Sequence, residues 1–158
     1  PIYADLITKK NLTNTFGYCF KDYKNYPSIL DAKTLKNKHI LNDVNSKIII
    51  KSLKVHHGSI KSICYIINDK CAYAPDVNYI ESKDLRYLKN LKYFIVDCLR
   101  YNFHPTHFNL DDVLKLIRKL KPKKAILTNL SNEIDYNEIK KKLPKNVIPA
   151  HDGLTVLI

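Results

Sequence analysis

Hydrophobic positions along this chain fall in short runs that end on polar, titratable residues. The clearest case is Tyr93 to Tyr136. Tyr93-Phe94-Ile95-Val96 ends in Asp97-Cys98, and a loop with His104-Pro105-Thr106-His107 follows. Leu110, Val113, Leu114, Ile117 and Leu120 then recur at three- and four-residue steps, one apolar stripe that predicts a helix over Leu110 to Leu120. Asn109 is its N-cap candidate, Asp112 a first-turn acid and Pro122 its stop. A second run, Ala125-Ile126-Leu127, ends in Thr128-Asn129-Leu130-Ser131-Asn132. Strand, loop, helix and strand in this order predict an α/β sheet, whose strand ends are where ligands bind.

The rest of the chain is read the same way. Ile2 to Ile7 alternates loosely, a short strand, and Asn11 to Phe16 suggests a helical turn. Lys21 to Asn45 is polar, carries Pro27, and reads as a long, partly ordered excursion. Ile48 to Val55 is a β-branched strand ending in His56-His57-Gly58. Ile60 to Ile67 is another, and Asn68-Asp69-Lys70 turns it back into Cys71 to Ala74, which stops at Pro75-Asp76. Ser82 caps an expected short helix through Leu88, and a further helix is expected from Tyr136 to Leu143 after Asp135. Pro144 and Pro149 bracket a connection, after which Asp152-Gly153 leads into an expected last strand, Leu154 to Ile158.

The 158 residues are one domain's length, and 45% apolar with 27% charged residues is ordinary for a globular protein. The net charge of +12 is not ordinary, and it admits nucleic acid as a partner. The lysines are spread along the chain, with clusters at 119–124 and 140–145, which favours a solvated face over a dedicated nucleic-acid surface. Cys19, Cys64, Cys71 and Cys98 show no CxxC spacing, so reduced thiols and a cytoplasmic location are expected. No run is long enough to span a membrane and no signal peptide is evident, so no membrane partner is expected. The chain opens on Pro1 and contains no methionine, so an upstream continuation is expected. His57, Asp76, His104, His107 and Asn129 all lie at or just beyond strand ends, where His and Asp can converge on a metal ion. No pair has the helical i, i+4 spacing of a zinc motif, so spacing alone does not select a metal site.

The motifs together, in order, carry a resemblance. His56-His57-Gly58, Ser62-Ile63-Cys64-Tyr65, Ala72-Tyr73-Ala74-Pro75-Asp76, Asp97-Cys98-Leu99-Arg100, His104-Pro105-Thr106-His107-Phe108, Ile126-Leu127-Thr128-Asn129 and Asp152-Gly153-Leu154 resemble the metal-dependent hydrolases of the metallo-β-lactamase fold, PhnP-like phosphodiesterases in particular. The resemblance implies the C-terminal two thirds of an αβ/βα sandwich, a single domain over residues 1–158 lacking the N-terminal part of its family. It implies hydrolysis of a small phosphodiester with two divalent ions, Zn or Mn, in the full-length parent. His57 and Asp76 are the implied metal ligands, His107 the implied proton donor or phosphate contact, and His104 and Asn129 the implied substrate contacts. The ions would polarise the phosphoryl oxygens and acidify a water, and an imidazole is suited to protonate the leaving oxygen. A homodimer is compatible with this reading.

Two departures stand out. The family's His-x-His-x-Asp-His motif is not among these residues, so the segment by itself is expected to be inactive. Asn129 stands where relatives carry a metal-binding histidine, and Ser131 and Asn132 occupy neighbouring histidine positions. An RNA-processing nuclease of the same fold and a degenerate, non-catalytic domain are the alternatives.

Overall fold

The computed structural model describes residues 1–43 and 46–158, so Val44 and Asn45, the end of the expected polar excursion, lie outside the described residues. The chain forms two compact units, residues 1–39 and 40–158.

In the first unit β1 (Ile2–Ala4) pairs in parallel with β2 (Ala32–Thr34). The strand expected to run to Ile7 stops earlier because the Asp5 carboxylate accepts the Ile7 and Thr8 N–H groups. That cap starts α1 (Leu6–Thr15), which α2 (Gly17–Phe20) follows. The excursion is thus more ordered than its composition suggests, since it holds β2 and all of β3 (Lys38–Asp43).

The second unit is built on a seven-stranded sheet among the described residues, with strands adjacent in chain order: β3, β4 (Ser46–His57), β5 (Ile60–Ile67), β6 (Cys71–Ala74), β7 (Tyr93–Asp97), β8 (Lys124–Thr128) and β9 (Val147–Pro149). β4, β5 and β6 are antiparallel neighbours, while β6 to β9 run parallel. Asn68 and Asp69 take positive φ, 52° and 53°, in the β5–β6 turn, the left-handed pair that a tight hairpin requires.

The crossovers hold α3 (Leu110–Leu120) and α4 (Tyr136–Lys142). The Asn109 side chain accepts the Asp112 N–H, and the α3 stripe buries Val113, Ile117 and Leu120 in one cluster with Phe94, Val96, Ala125 and Leu127. Two expectations are corrected. The helix expected from Ser82 is only a 3-10 turn, Leu85–Leu88, and Leu154 to Ile158 is not a strand. The last strand is β9, hydrogen-bonded to β8 in the stretch read as a connection, where two prolines conceal its β character.

Candidate metal centre

β4, β6 and β7 deliver the groups of this site at their ends. His57 is the last residue of β4, Asp76 follows β6 by two residues, and Asp97 closes β7. His107 comes from the loop between β7 and α3. The ligand atoms of His57, Asp76 and His107 all lie within 4.8 Å of one another. His57 Nε2 and His107 Nε2 are 3.1 Å apart, with ring planes at 73°.

Asp97 sets the direction of His107. It is fully buried, and it is the one buried charged side chain among the described residues. Its Oδ2 lies 2.5 Å from His107 Nδ1 and also accepts the Val77 N–H at 3.2 Å. A proton on Nδ1 therefore leaves the Nε2 lone pair directed at His57. Burial pushes the Asp97 carboxyl up to about 6, against the Val77 N–H and the His107 imidazole, which favour the carboxylate. Its Oδ1 is buried with no hydrogen-bond partner.

The spacing between His57 and His107 is set by their neighbours. Gly58 sits at φ +63°, and a Cβ there would lie 2.6 Å from Thr106 Cγ2. Only glycine lets the β4–β5 turn approach the histidine loop this closely. Asn78 joins the same two segments, accepting the Gly58 N–H at 3.0 Å and donating from Nδ2 to the Pro105 carbonyl at 2.9 Å. Its own N–H donates to the His56 carbonyl at 2.9 Å. The stretch from Asp76 to Tyr79 is thus stitched to both histidine-bearing segments.

The remaining predicted residues lie nearby in different roles. His104 rests 5.1 Å from the His107 ring, centroid to centroid, and its Nδ1 accepts from the Thr106 N–H and hydroxyl. Desolvation, with the Arg100 guanidinium beside it, lowers its pKa. Asn129, left-handed at φ 60°, donates from Nδ2 to the Pro75 carbonyl at 2.5 Å and so holds the backbone next to Asp76. His56 instead pairs with Glu81 at 2.7 Å and with Lys61. Of two residues that position the site, Asp97 reads from the sequence only as a strand-end acceptor of backbone hydrogen bonds, which the Val77 N–H bears out, and Asn78 has no reading. An aspartate closing a strand ten residues before a loop histidine was the available signal for the first. For the second there was none.

The three donors fit a divalent ion. Two imidazole nitrogens bound to one tetrahedral zinc stand about 3.3 Å apart, close to the 3.1 Å here. The buried Asp97 carboxylate behind His107 is the outer partner that ligating histidines commonly have. With His107 as the third donor the cluster would hold one ion with an open position, and with a proton on His107 Nε2 the ligands would be His57 and Asp76.

Strand order and site together define the metallo-β-lactamase fold. Residues 1–128 match the β-lactamase superfamily domain, and the chain belongs to that family. A diphosphatase of the PhnP family is 27% identical with a TM-score of 0.84, over 98% of this chain and 56% of that one. Zn(2+)-bound PqqB from Methylobacterium extorquens aligns at TM-score 0.72 and 12% identity, over 99% of this chain and 64% of its own. The short form of human tRNase Z does so at 0.63 and 13%, over 99% and 66%. The last two likenesses are of fold. The chain spans between about half and two thirds of the length of these structures. No curated protein matches the sequence.

Proposed function

We propose that this chain carries the catalytic end of a metal-dependent phosphodiesterase. In this reading His57 and Asp76 hold the metal, and His107 gives a proton to the leaving oxygen. The carrying observation is the Asp97–His107 pair, 2.5 Å apart, with Nε2 presented to the point that His57 and Asp76 share. Asp97 engages Nδ1, so Nε2 is the atom through which His107 would take up a proton and pass it to the leaving oxygen. A divalent ion here supplies Lewis-acid polarisation of the phosphoryl group and acidifies water. His104, with Nδ1 accepting from Thr106, presents Nε2–H as a donor to a phosphoryl oxygen. Asn129 acts through the backbone carbonyl beside Asp76.

The likeness to the PhnP-family diphosphatase supports a phosphoester substrate. The intact cluster of His57, Asp76 and His107 favours an enzyme over a degenerate domain.

The test compares an aryl and an alkyl phosphodiester on the full natural protein loaded with Mn²⁺ or Zn²⁺. His107→Asn should slow the alkyl ester about 10²- to 10⁴-fold and the aryl ester, whose leaving group needs no proton, far less. His57→Ala should abolish metal binding, measured by calorimetry. Loss of metal in His107→Asn would make that residue a ligand and remove the proton-donor role. Absence of hydrolysis with either metal and either ester would overturn the whole reading.

A further inference from the structure

The parallel strands have two ends, and the titratable cluster occupies only one. Strands β6, β7, β8 and β9 finish near Asp76, Asp97, Asn129 and His151. Their starts carry a different chemistry. Lys70 precedes β6, Lys92 precedes β7, Lys124 opens β8, and Lys145 lies two residues before β9. Lys121 and Lys123 join them from the turn after α3. All six are exposed.

Backbone hydrogen bonds stitch these segments into one continuous edge. The Tyr93 N–H donates to the Lys70 carbonyl at 3.1 Å, and the Lys124 N–H to the Lys92 carbonyl at 3.0 Å. Asn90 donates to Leu120 at 2.9 Å, Lys123 to Leu91 at 2.8 Å, and Ala125 to Asn146 at 2.8 Å. The sequence scatters these lysines over 76 positions, from 70 to 145, and the parallel topology gathers them. Neighbouring strands lie about 4.8 Å apart, so the row from β6 to β9 extends roughly 14 Å.

The edge is almost free of acids. Residues 89–92, 119–124 and 144–146 contain no Asp or Glu, and Asp69 beside Lys70 is already paired with Lys51 at 2.6 Å. Lys92 Nζ donates to the Leu157 carbonyl at 2.8 Å, a contact that leaves its charge uncompensated. The apolar residues of these segments, Leu91 and Leu120, are buried in the core, and the exposed apolar side chains brought to the edge are those of Leu157 and Ile158 at the Lys92 end.

We propose that this lysine edge is a binding site for the phosphate backbone of a nucleic acid, separate from the metal centre. A line of ammonium groups without carboxylate partners among the described residues suits a linear polyanion, because each phosphate it neutralises releases condensed counterions. An anionic membrane surface is the less suited partner, since interfacial binding draws on a broad apolar face and this edge offers only Leu157 and Ile158 at one end. No side chain here reads a base, so binding is independent of sequence. The site lies roughly 13 Å along β8 from the metal end, so it tethers a polymer rather than presenting a bond for cleavage.

The experiment follows the full chain binding a fluorescent single-stranded RNA of about 20 nucleotides by anisotropy, from about 50 to about 200 mM salt. About five phosphates contacted should give a slope of log K against log salt near −3.5. The triple variant Lys121→Gln/Lys123→Gln/Lys124→Gln should reduce the slope by about 2 and weaken binding about tenfold or more at the lowest salt. Lys9→Gln/Lys10→Gln/Lys21→Gln removes the same charge from the first unit and should leave affinity within about twofold. Equal weakening by both triples would mean that binding follows net charge, and the site would be refuted. So would absence of RNA binding at the lowest salt, or capture by phosphatidylserine vesicles without RNA binding. Hydrolysis of small esters is not part of the readout, so failure here leaves the phosphodiesterase reading standing.

Discussion

Gly58 and Thr106 meet more closely than any other residue type at position 58 would allow, and the two site histidines depend on that approach. Gly58→Ala adds a methyl group 2.6 Å from Thr106 Cγ2 at a φ of +63°. Both the left-handed strain and the clash act against it, so a loss of about 1–3 kcal/mol is expected by chemical denaturation. Adding Thr106→Ser removes the methyl that clashes and should restore part of the loss, while the strain remains. Metal affinity should fall in Gly58→Ala and recover in the double variant, because the 3.1 Å between the imidazoles depends on the same approach. If Gly58→Ala matched the parent in stability and affinity, the close contact would have no role. At this scale the sequence told only part of the story. His57, Asp76 and His107 could be singled out by type and place in the chain. Asp97 and Asn78 act through partners 10 to 27 residues away, and such pairing appears only once the chain has folded.

Among the elements, the stretch following β6 does the joining. Asn78 bonds to the β4–β5 turn and to the histidine loop at once. Asn78→Ala removes both bonds and should cost about 2 kcal/mol, near 1 kcal/mol for each. Asn78→Asp retains the acceptor for Gly58 but not the donor to Pro105, so about half of the loss is expected. Equal stability of all three proteins in urea would contradict the joining role. Elements with a strong period were legible: α3 shows its stripe, its Asn109 cap and its Pro122 stop. The three-residue β9 was not, because it is too short for a period and Pro149 argues against a strand. Leu154 to Ile158 has strand-like composition, yet no neighbouring edge takes it up. The helix expected from Ser82 shrinks to one 3-10 turn whose Leu85 and Leu88 are both buried.

For the molecule as a whole, three of four cysteines belong to the core. Cys64, Cys71 and Cys98 are buried and Cys19 is half-exposed. Burial pushes the Cys64 and Cys98 thiols from 9.0 to about 12. One fast thiol of the four is expected in native titration with an aromatic disulfide reagent, and all four in denaturant. Below pH 9 these thiols are protonated in both folded and unfolded chains and have no effect on the pH dependence. From 9 towards 12 the unfolded chain releases protons that the fold retains, so each thiol should lower stability by about 1.4 kcal/mol per pH unit. Cys98→Ala should flatten the decline by one thiol's share. An unchanged slope, with the lysine and tyrosine titrations common to both proteins, would mean that the Cys98 thiol is not held neutral.

The two-ended sheet has a practical corollary for handling the protein. On a sulfonate bead or freshly cleaved mica, the second unit should settle with the starts of β6 to β9 against the solid. His57, Asp76 and His107 would then face the liquid, at the far ends of the strands. Immobilisation through charge would orient the second unit with its metal end away from the solid. Amine-reactive coupling at those same lysines would give that orientation covalently.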